Sequence, residues 1–149
     1  LNKLKKLNLH TAEISYQSSI IAKIYKVRGI LKVFQIKFSK KYKNCCIEGR
    51  DIATNILPNS DIKFYFVCNL NTASFRRYKE LKKNNKKIKL KEVKKALRIR
   101  NNYDTKRRIS PLQKHRAAIE IDTGKLSKQA MLKKMSKYVD KFIKTKYVN

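Results

Sequence analysis

Glycine is scarce in this sequence: Gly29, Gly49 and Gly124 are the only three in 149 residues. None opens the pattern Gly, four residues, Gly-Lys-Ser/Thr, in which backbone N–H groups and a lysine cradle nucleotide phosphates. These residues therefore carry no phosphate loop of that kind. Cysteine is scarce too. Cys45, Cys46 and Cys68 include an adjacent pair, and no CxxC stands with a second such pair or a His pair. Neighbouring cysteines rarely bridge each other, so free buried thiols in a reducing cytoplasm are expected, with no metal or redox role. No apolar run reaches the roughly 18 residues that a membrane-spanning helix needs. The Lys-rich start lacks the continuous apolar stretch of a secretory signal. The chain opens on Leu1 rather than Met, which raises the expectation of a missing upstream segment.

Acidic residues are few as well, 10 against 39 basic ones, for a net charge of +29. Taken alone, that charge favours a polyanion binder, because Lys and Arg neutralise phosphates and release counterions. Of the basic residues, however, 30 are Lys and 9 are Arg, in a chain rich in Asn and Ile. An A+T-rich coding sequence favours that residue set, so the positions of the few arginines carry the information. Apolar residues make up 42%, which argues against disorder. The length suits one domain with a core.

Along the chain, helical periodicity begins at Thr11, with Ile14, Ile20, Ile21, Ile24, Val27, Ile30, Leu31 and Phe34 at steps of three and four, and ends in the Lys-rich 37–44. Cys45-Cys46-Ile47 reads as a short buried strand running into Glu48-Gly49-Arg50-Asp51. Pro58-Asn59-Ser60 is a turn, and 62–68 is a β-branched and aromatic strand. Basic helices are expected over about 72–83 and 90–102, then a loop holding Asp104, Arg107, Arg108 and Ser110-Pro111. A third strand falls at 117–122. Ser127 is placed to cap a last helix whose face carries Met131, Leu132, Met135, Tyr138, Val139, Phe142 and Ile143. Strands alternating with helices indicate an α/β fold with mainly parallel strands.

Two segments carry chemistry. In open α/β sheets, ligands bind beyond the carboxyl ends of strands, where Arg50 and Asp51 could hold an anion and accept hydrogen bonds; Gly49 would allow close backbone approach. A solvated ion pair is the plainer explanation for that pair. Arg100, Asp104 and Arg107 are spaced by four and three, which puts them on one helical face. Guanidinium groups match phosphate oxygens with paired hydrogen bonds that Lys cannot make, so arginines kept in a Lys-drifted chain are informative.

In order, these segments resemble bacterial cytidylate kinases, from about Thr11 to the C-terminal helix. The resemblance includes Thr-Ala-Glu-Ile with Ser19 and Arg28, then Glu-Gly-Arg50-Asp51-Ile-Ala-Thr54 with Pro58, and Arg76-Arg77-Tyr78-Lys-Glu-Leu81. Arg100 with Asp104 and Arg107, Ser110-Pro111-Leu112, Ile-Asp122-Thr123 and Leu-Ser127 complete it. The resemblance implies transfer of phosphate from ATP to CMP or dCMP with Mg²⁺. Ser19, Arg28 and Asp51 would recognise the cytosine base. Arg50 and Arg107 would hold the acceptor phosphate, with Arg107 also near the transferring group, and Arg100 and Asp104 would contact the ribose. Arg107 and Arg100 are the catalytic candidates. No residue is assigned to a metal.

The implied fold is a P-loop nucleoside-monophosphate-kinase-like parallel sheet flanked by helices, incomplete because the first strand and the P-loop are absent. Residues 1–149 would form one partial domain: 11–43 the monophosphate-binding helices, 44–98 and 113–149 the core, 99–112 the lid segment. The implied partners are CMP or dCMP and ATP, without membrane or nucleic acid, in a cytoplasmic protein that is a monomer when complete. Asn101, Ala73 and Ala117 depart from the family's usual residues and put the lid's ion-pair network in question. In the family's sheet the first strand lies centrally, so this chain alone is expected to be poorly stable and inactive. The alternatives are a basic, non-catalytic nucleic-acid-binding protein, whose binding would survive loss of Arg50 and Asp104, and a degenerate, non-enzymatic relic.

Overall fold

The computed structural model describes residues 11–42, 44–83 and 85–147. Helix α1 spans Ala12–Ile21 and α2 spans Tyr25–Lys41. Thr11 starts α1 from an extended backbone, and its hydroxyl accepts the Ile14 N–H at 3.1 Å, satisfying one of the free donors of the first turn. The helical periodicity that begins at Thr11 falls into two helices, divided at Ala22–Ile24. There Lys23 and Ile24 donate to the carbonyls three residues back, at 3.0 Å each, a tightening that ends α1. Ile24 is extended and sets off α2 in a new direction.

Strand β1, Phe64–Val67, and strand β2, Ile119–Asp122, pair in parallel with Phe64 opposite Ile119 and Val67 opposite Asp122. Both lie within the expected strands. The strand expected at Cys45-Cys46-Ile47 is corrected: these residues form no ladder, and Cys45 and Cys46 are exposed rather than buried. A strand needs a partner for its N–H and C=O groups, and among the described residues β1 pairs with β2 alone. Cys68 is half-buried, and all three thiols are free.

Between Asp51 and Pro58 lies a π-helical turn, Ile52–Ile56, in which Leu57 N–H reaches Ile52 O at 2.7 Å. Helix α3, Leu70–Lys82, and helix α4, Leu90–Lys106, pack against each other, and α1 also lies on α4. Ser74 is almost fully buried on α3, its hydroxyl donating to Leu70 O at 2.5 Å. Arg76 Nη2 donates to Thr123 O at 2.8 Å, fastening α3 to the end of β2. Helix α5, Lys128–Tyr147, starts under Ser127, whose Oγ accepts the Ala130 N–H at 3.1 Å. The Tyr138 ring of α5 meets Phe64 of β1 edge-on at 6.2 Å.

The core is small. Ile56, Val93 and Ile121 are the buried apolar side chains among the described residues, while Phe34, Tyr25, Ile30 and Leu132 stay well exposed. The accessible surface is 12408 Å², against about 7,900 Å² for a compact monomer of this mass. Parallel sheets are normally covered on both faces, yet Phe66 of β1 is half exposed.

Candidate functional site

Helix α4 builds one side of the site. Its first turn is capped by Glu92, whose Oε2 accepts the Lys89 N–H at 3.2 Å, and its buried side carries Val93 and Asp104. The helix runs to Lys106, so Asp104 sits in its last turn and not in a loop as its sequence context suggests. A residue spacing of four and three therefore does place Arg100, Asp104 and the capping residue Arg107 together. The chain then folds back. Ser110 takes a positive φ of 51°, unusual for a residue with a side chain. Arg107 Nε donates to Ser110 O at 2.5 Å, and Leu112 N–H reaches Asp104 O at 2.7 Å.

The other side comes from Arg28 on α2 and from Arg50 and Asp51 before the π turn. Arg28 pairs with Asp51 Oδ2 and also donates from Nη1 to Ala22 O at 3.2 Å. Arg107 bridges the two carboxylates, Nη2 lying 3.5 Å from Asp51 Oδ1 and Nη1 3.6 Å from Asp104 Oδ1. Arg50 Nε is 3.3 Å from Asp104 Oδ2, and Arg100 Nε is 3.9 Å from the same atom. Asp51 is 8% exposed and Asp104 is 4% exposed. Six of the seven residues singled out from the sequence thus form one ionic cluster. Ser19, the seventh, is buried on α1, and its hydroxyl donates to Tyr16 O at 2.7 Å within its own helix.

The cluster is not electrically balanced. Four guanidiniums (Arg28, Arg50, Arg100, Arg107) face two carboxylates (Asp51, Asp104), an excess of two positive charges. Arg100 Nε and Arg107 Nη2 are buried without a hydrogen-bond acceptor, and Asp104 Oδ2 lacks a donor. The charges sit within Coulomb reach of each other without the geometry of hydrogen bonds. Both arginines hold their protons less tightly than free arginine. For Arg100 the main cause is burial, followed by repulsion from Arg50; for Arg107 it is burial, followed by repulsion from Arg28. An anion with several acceptor oxygens would supply both the missing charge and the missing acceptors.

Two contacts around the cluster were not foreseen. Lys23 Nζ lies 3.8 Å from the centroid of the Tyr103 ring, tying the α1–α2 turn to α4. Arg77 of α3 reaches Ser15 Oγ at 3.4 Å, and its charge contributes to the lowering at Arg100. The Arg76-Arg77 doublet was visible in the sequence, but its reach across to α1 depends on helix packing. Among the described residues no group of three or more His, Cys, Asp or Glu is placed to hold a metal ion. Both buried carboxylates are engaged by arginines.

The family model for cytidylate kinase matches residues 2–141. The chain belongs to the cytidylate kinase family. A cytidylate kinase of Clostridium tetani is 33% identical over 130 residues, covering 87% of this chain and 57% of that protein. That of Thermosipho melanesiensis is 34% identical over 131 residues, 88% of this chain and 60% of the relative. That of Bartonella quintana is 34% identical over 143 residues, 96% and 66%. The chain thus spans about three-fifths of the length of the curated relatives it matches. No helix among the described residues is long and apolar enough to cross a membrane.

Proposed function

We propose that this cytidylate kinase family chain forms the phosphate-accepting portion of a (d)CMP kinase, which transfers phosphate from ATP to CMP or dCMP in pyrimidine nucleotide metabolism. The observation that carries the reading is the positive excess of the arginine cluster, with guanidinium N–H groups buried and lacking acceptors. A nucleoside monophosphate brings a phosphate dianion that matches the excess of two charges. The implied fold is the incomplete P-loop α/β sheet, and the complete protein would act as a monomer.

The roles are those that the resemblance to cytidylate kinases implies, and the gathering of six of the seven residues into one cluster supports them. Arg50 and Arg107 would grip the acceptor phosphate from both sides, and guanidiniums do so with paired hydrogen bonds. Arg107, anchored through Nε to Ser110 O, would keep its remaining N–H groups aimed at the phosphate and at the group being transferred. Asp104 would accept from a ribose hydroxyl beside Arg100. Arg28 and Asp51 already form a donor–acceptor pair, and with Ser19 they would read the cytosine edge. A wrong base would leave one of these buried groups unpaired, which is a strong penalty. Segment 99–112 would act as the lid and 11–43 as the monophosphate-binding helices. Phosphoryl transfer depends mainly on such positioning and charge neutralisation. Among the described residues no carboxylate cluster is placed for the Mg²⁺ that accompanies ATP, and no glycine-rich phosphate loop is encoded in this sequence. The contribution derived for this chain is therefore confined to the acceptor.

Isothermal titration of the chain with CMP, dCMP, UMP and AMP tests the proposal. CMP or dCMP should bind well ahead of UMP and AMP, and Arg50→Ala or Asp51→Ala should abolish that binding. Equal binding of all four nucleotides, or CMP binding that survives both substitutions, would sink it.

A further inference from the structure

The charge of the molecule is unevenly placed outside the acceptor site. From Lys82 to Arg98, nine of seventeen residues are Lys or Arg, against 39 of 149 overall. All nine are exposed. Among the described residues, none of the nine lies within salt-bridge distance of a carboxylate. Glu92 is the one acid of this stretch, and it is engaged with the Lys89 backbone N–H. Val93, Leu97, Arg100 and Asp104 face inward on α4, so Lys91, Lys94, Lys95 and Arg98 fall on the opposite side. Lys91 and Lys95, and Lys94 and Arg98, are like charges one helical turn apart, which opposes helix formation. The stretch holds no aromatic residue. It therefore offers no platform for stacking the bases of a single strand, only cations on two helices packed against each other.

We propose that the tip of the α3–α4 hairpin and the outer face of α4 bind the phosphate backbone of duplex nucleic acid, without reading its sequence. Cations without carboxylate partners release counterions when they neutralise phosphates, and this drives binding irrespective of base. A Lys-rich coding drift alone predicts the contrary result, with charge effects spread over the whole surface. Helix α5 provides the control, because it carries seven lysines and one acid over Lys128–Tyr147.

The experiment measures fluorescence anisotropy of a labelled DNA duplex of about 20 base pairs, long enough to cover several phosphate contacts, over a range of salt concentrations. Three full-length chains are compared: the parent, a hairpin triple variant (Lys91→Gln, Lys94→Gln, Lys95→Gln) and an α5 triple variant (Lys133→Gln, Lys134→Gln, Lys141→Gln). All three are matched for helicity by circular dichroism. The hairpin variant should bind roughly tenfold more weakly, with a salt slope shallower by about 2 to 3, while the α5 variant stays close to the parent. Equal losses in both variants would overturn the proposal in favour of diffuse charge. So would displacement of the duplex by CMP, which would put the phosphates in the acceptor site. Equally tight capture of anionic phosphatidylserine vesicles would overturn the commitment to nucleic acid. The comparison of the hairpin and α5 variants is made without CMP, so it does not depend on whether CMP is the acceptor.

Discussion

Asp104 is the residue on which the ionic cluster turns. Its carboxylate faces Arg50, Arg100 and Arg107 at 3.3, 3.9 and 3.6 Å and is almost fully buried. Asp104→Ala would leave three guanidiniums facing one another, and uncompensated charge beneath the surface is costly. More than a third of the Arg50 and Arg100 side chains is exposed, so solvent screening reduces the penalty to about 1–3 kcal/mol. Thermal unfolding followed by circular dichroism should show the loss. At matched ionic strength, phosphate should raise the midpoint of Asp104→Ala more than chloride does, because phosphate supplies the missing acceptors. An unchanged midpoint in the variant would contradict the charge assignment. Changing the pH offers no such relief. Arg100 and Arg107 have lowered pKa values, so the folded state holds these protons less tightly than the unfolded one. The resulting destabilisation is present at every pH below the lowered values and lifts only as pH rises through them. Arginine stays charged through the ordinary working range, so anion binding is the available route to stability. Half of this cluster was legible from spacing, because steps of four and three put Arg100, Asp104 and Arg107 on one helical face, although the helix was expected to end near residue 102 and runs to Lys106. Lys23 and Tyr103 were not, since eighty positions separate them and helix packing alone brings them together.

The elements that were predicted well are those whose ends are set by local chemistry. Ser127 caps α5 as expected, and Asn69 does the same for α3, its Oδ1 accepting the Thr72 N–H at 2.8 Å. That cap starts α3 at Leu70, two residues before the start expected at about 72. Asn69→Ala should therefore cost about 1 kcal/mol, read as lost helicity near the midpoint of thermal unfolding; Asn69→Asp should restore it, and a neutral Asn69→Ala would disprove the capping role. The elements that were misread depend on partners elsewhere. Cys45-Cys46-Ile47 reads as a strand but has no ladder partner among the described residues. The exact site of the break at Ala22–Ile24 and the π turn at Ile52–Ile56, on which the sequence carried no expectation, are choices among i−3, i−4 and i−5 hydrogen bonds that differ little locally. Tertiary packing settles such choices.

For the molecule as a whole, the small core decides the expected behaviour. Among the described residues only three apolar side chains are buried, and with an accessible surface half as large again as a compact monomer's this leaves little hydrophobic driving force for cooperative folding. A net charge of +29 adds self-repulsion to the folded state. A parallel pair of strands is also a weak nucleus, since its contacts join segments more than fifty residues apart. Urea unfolding of this chain should therefore be broad, with an m-value well below the roughly 1–3 kcal/mol/M of small cooperative domains, and the chain should bind a hydrophobic dye before denaturant is added. Salt should sharpen the transition by screening repulsion, but only partly, because salt covers none of the exposed apolar surface on α2 and β1. A chain extended at its N-terminus to the full length of its relatives should show a steeper transition and lose the dye signal together. A steep transition and no dye binding in the 149-residue chain itself would mean that this portion of the family fold is a self-sufficient domain, and that its exposed apolar faces are tolerated rather than awaiting cover.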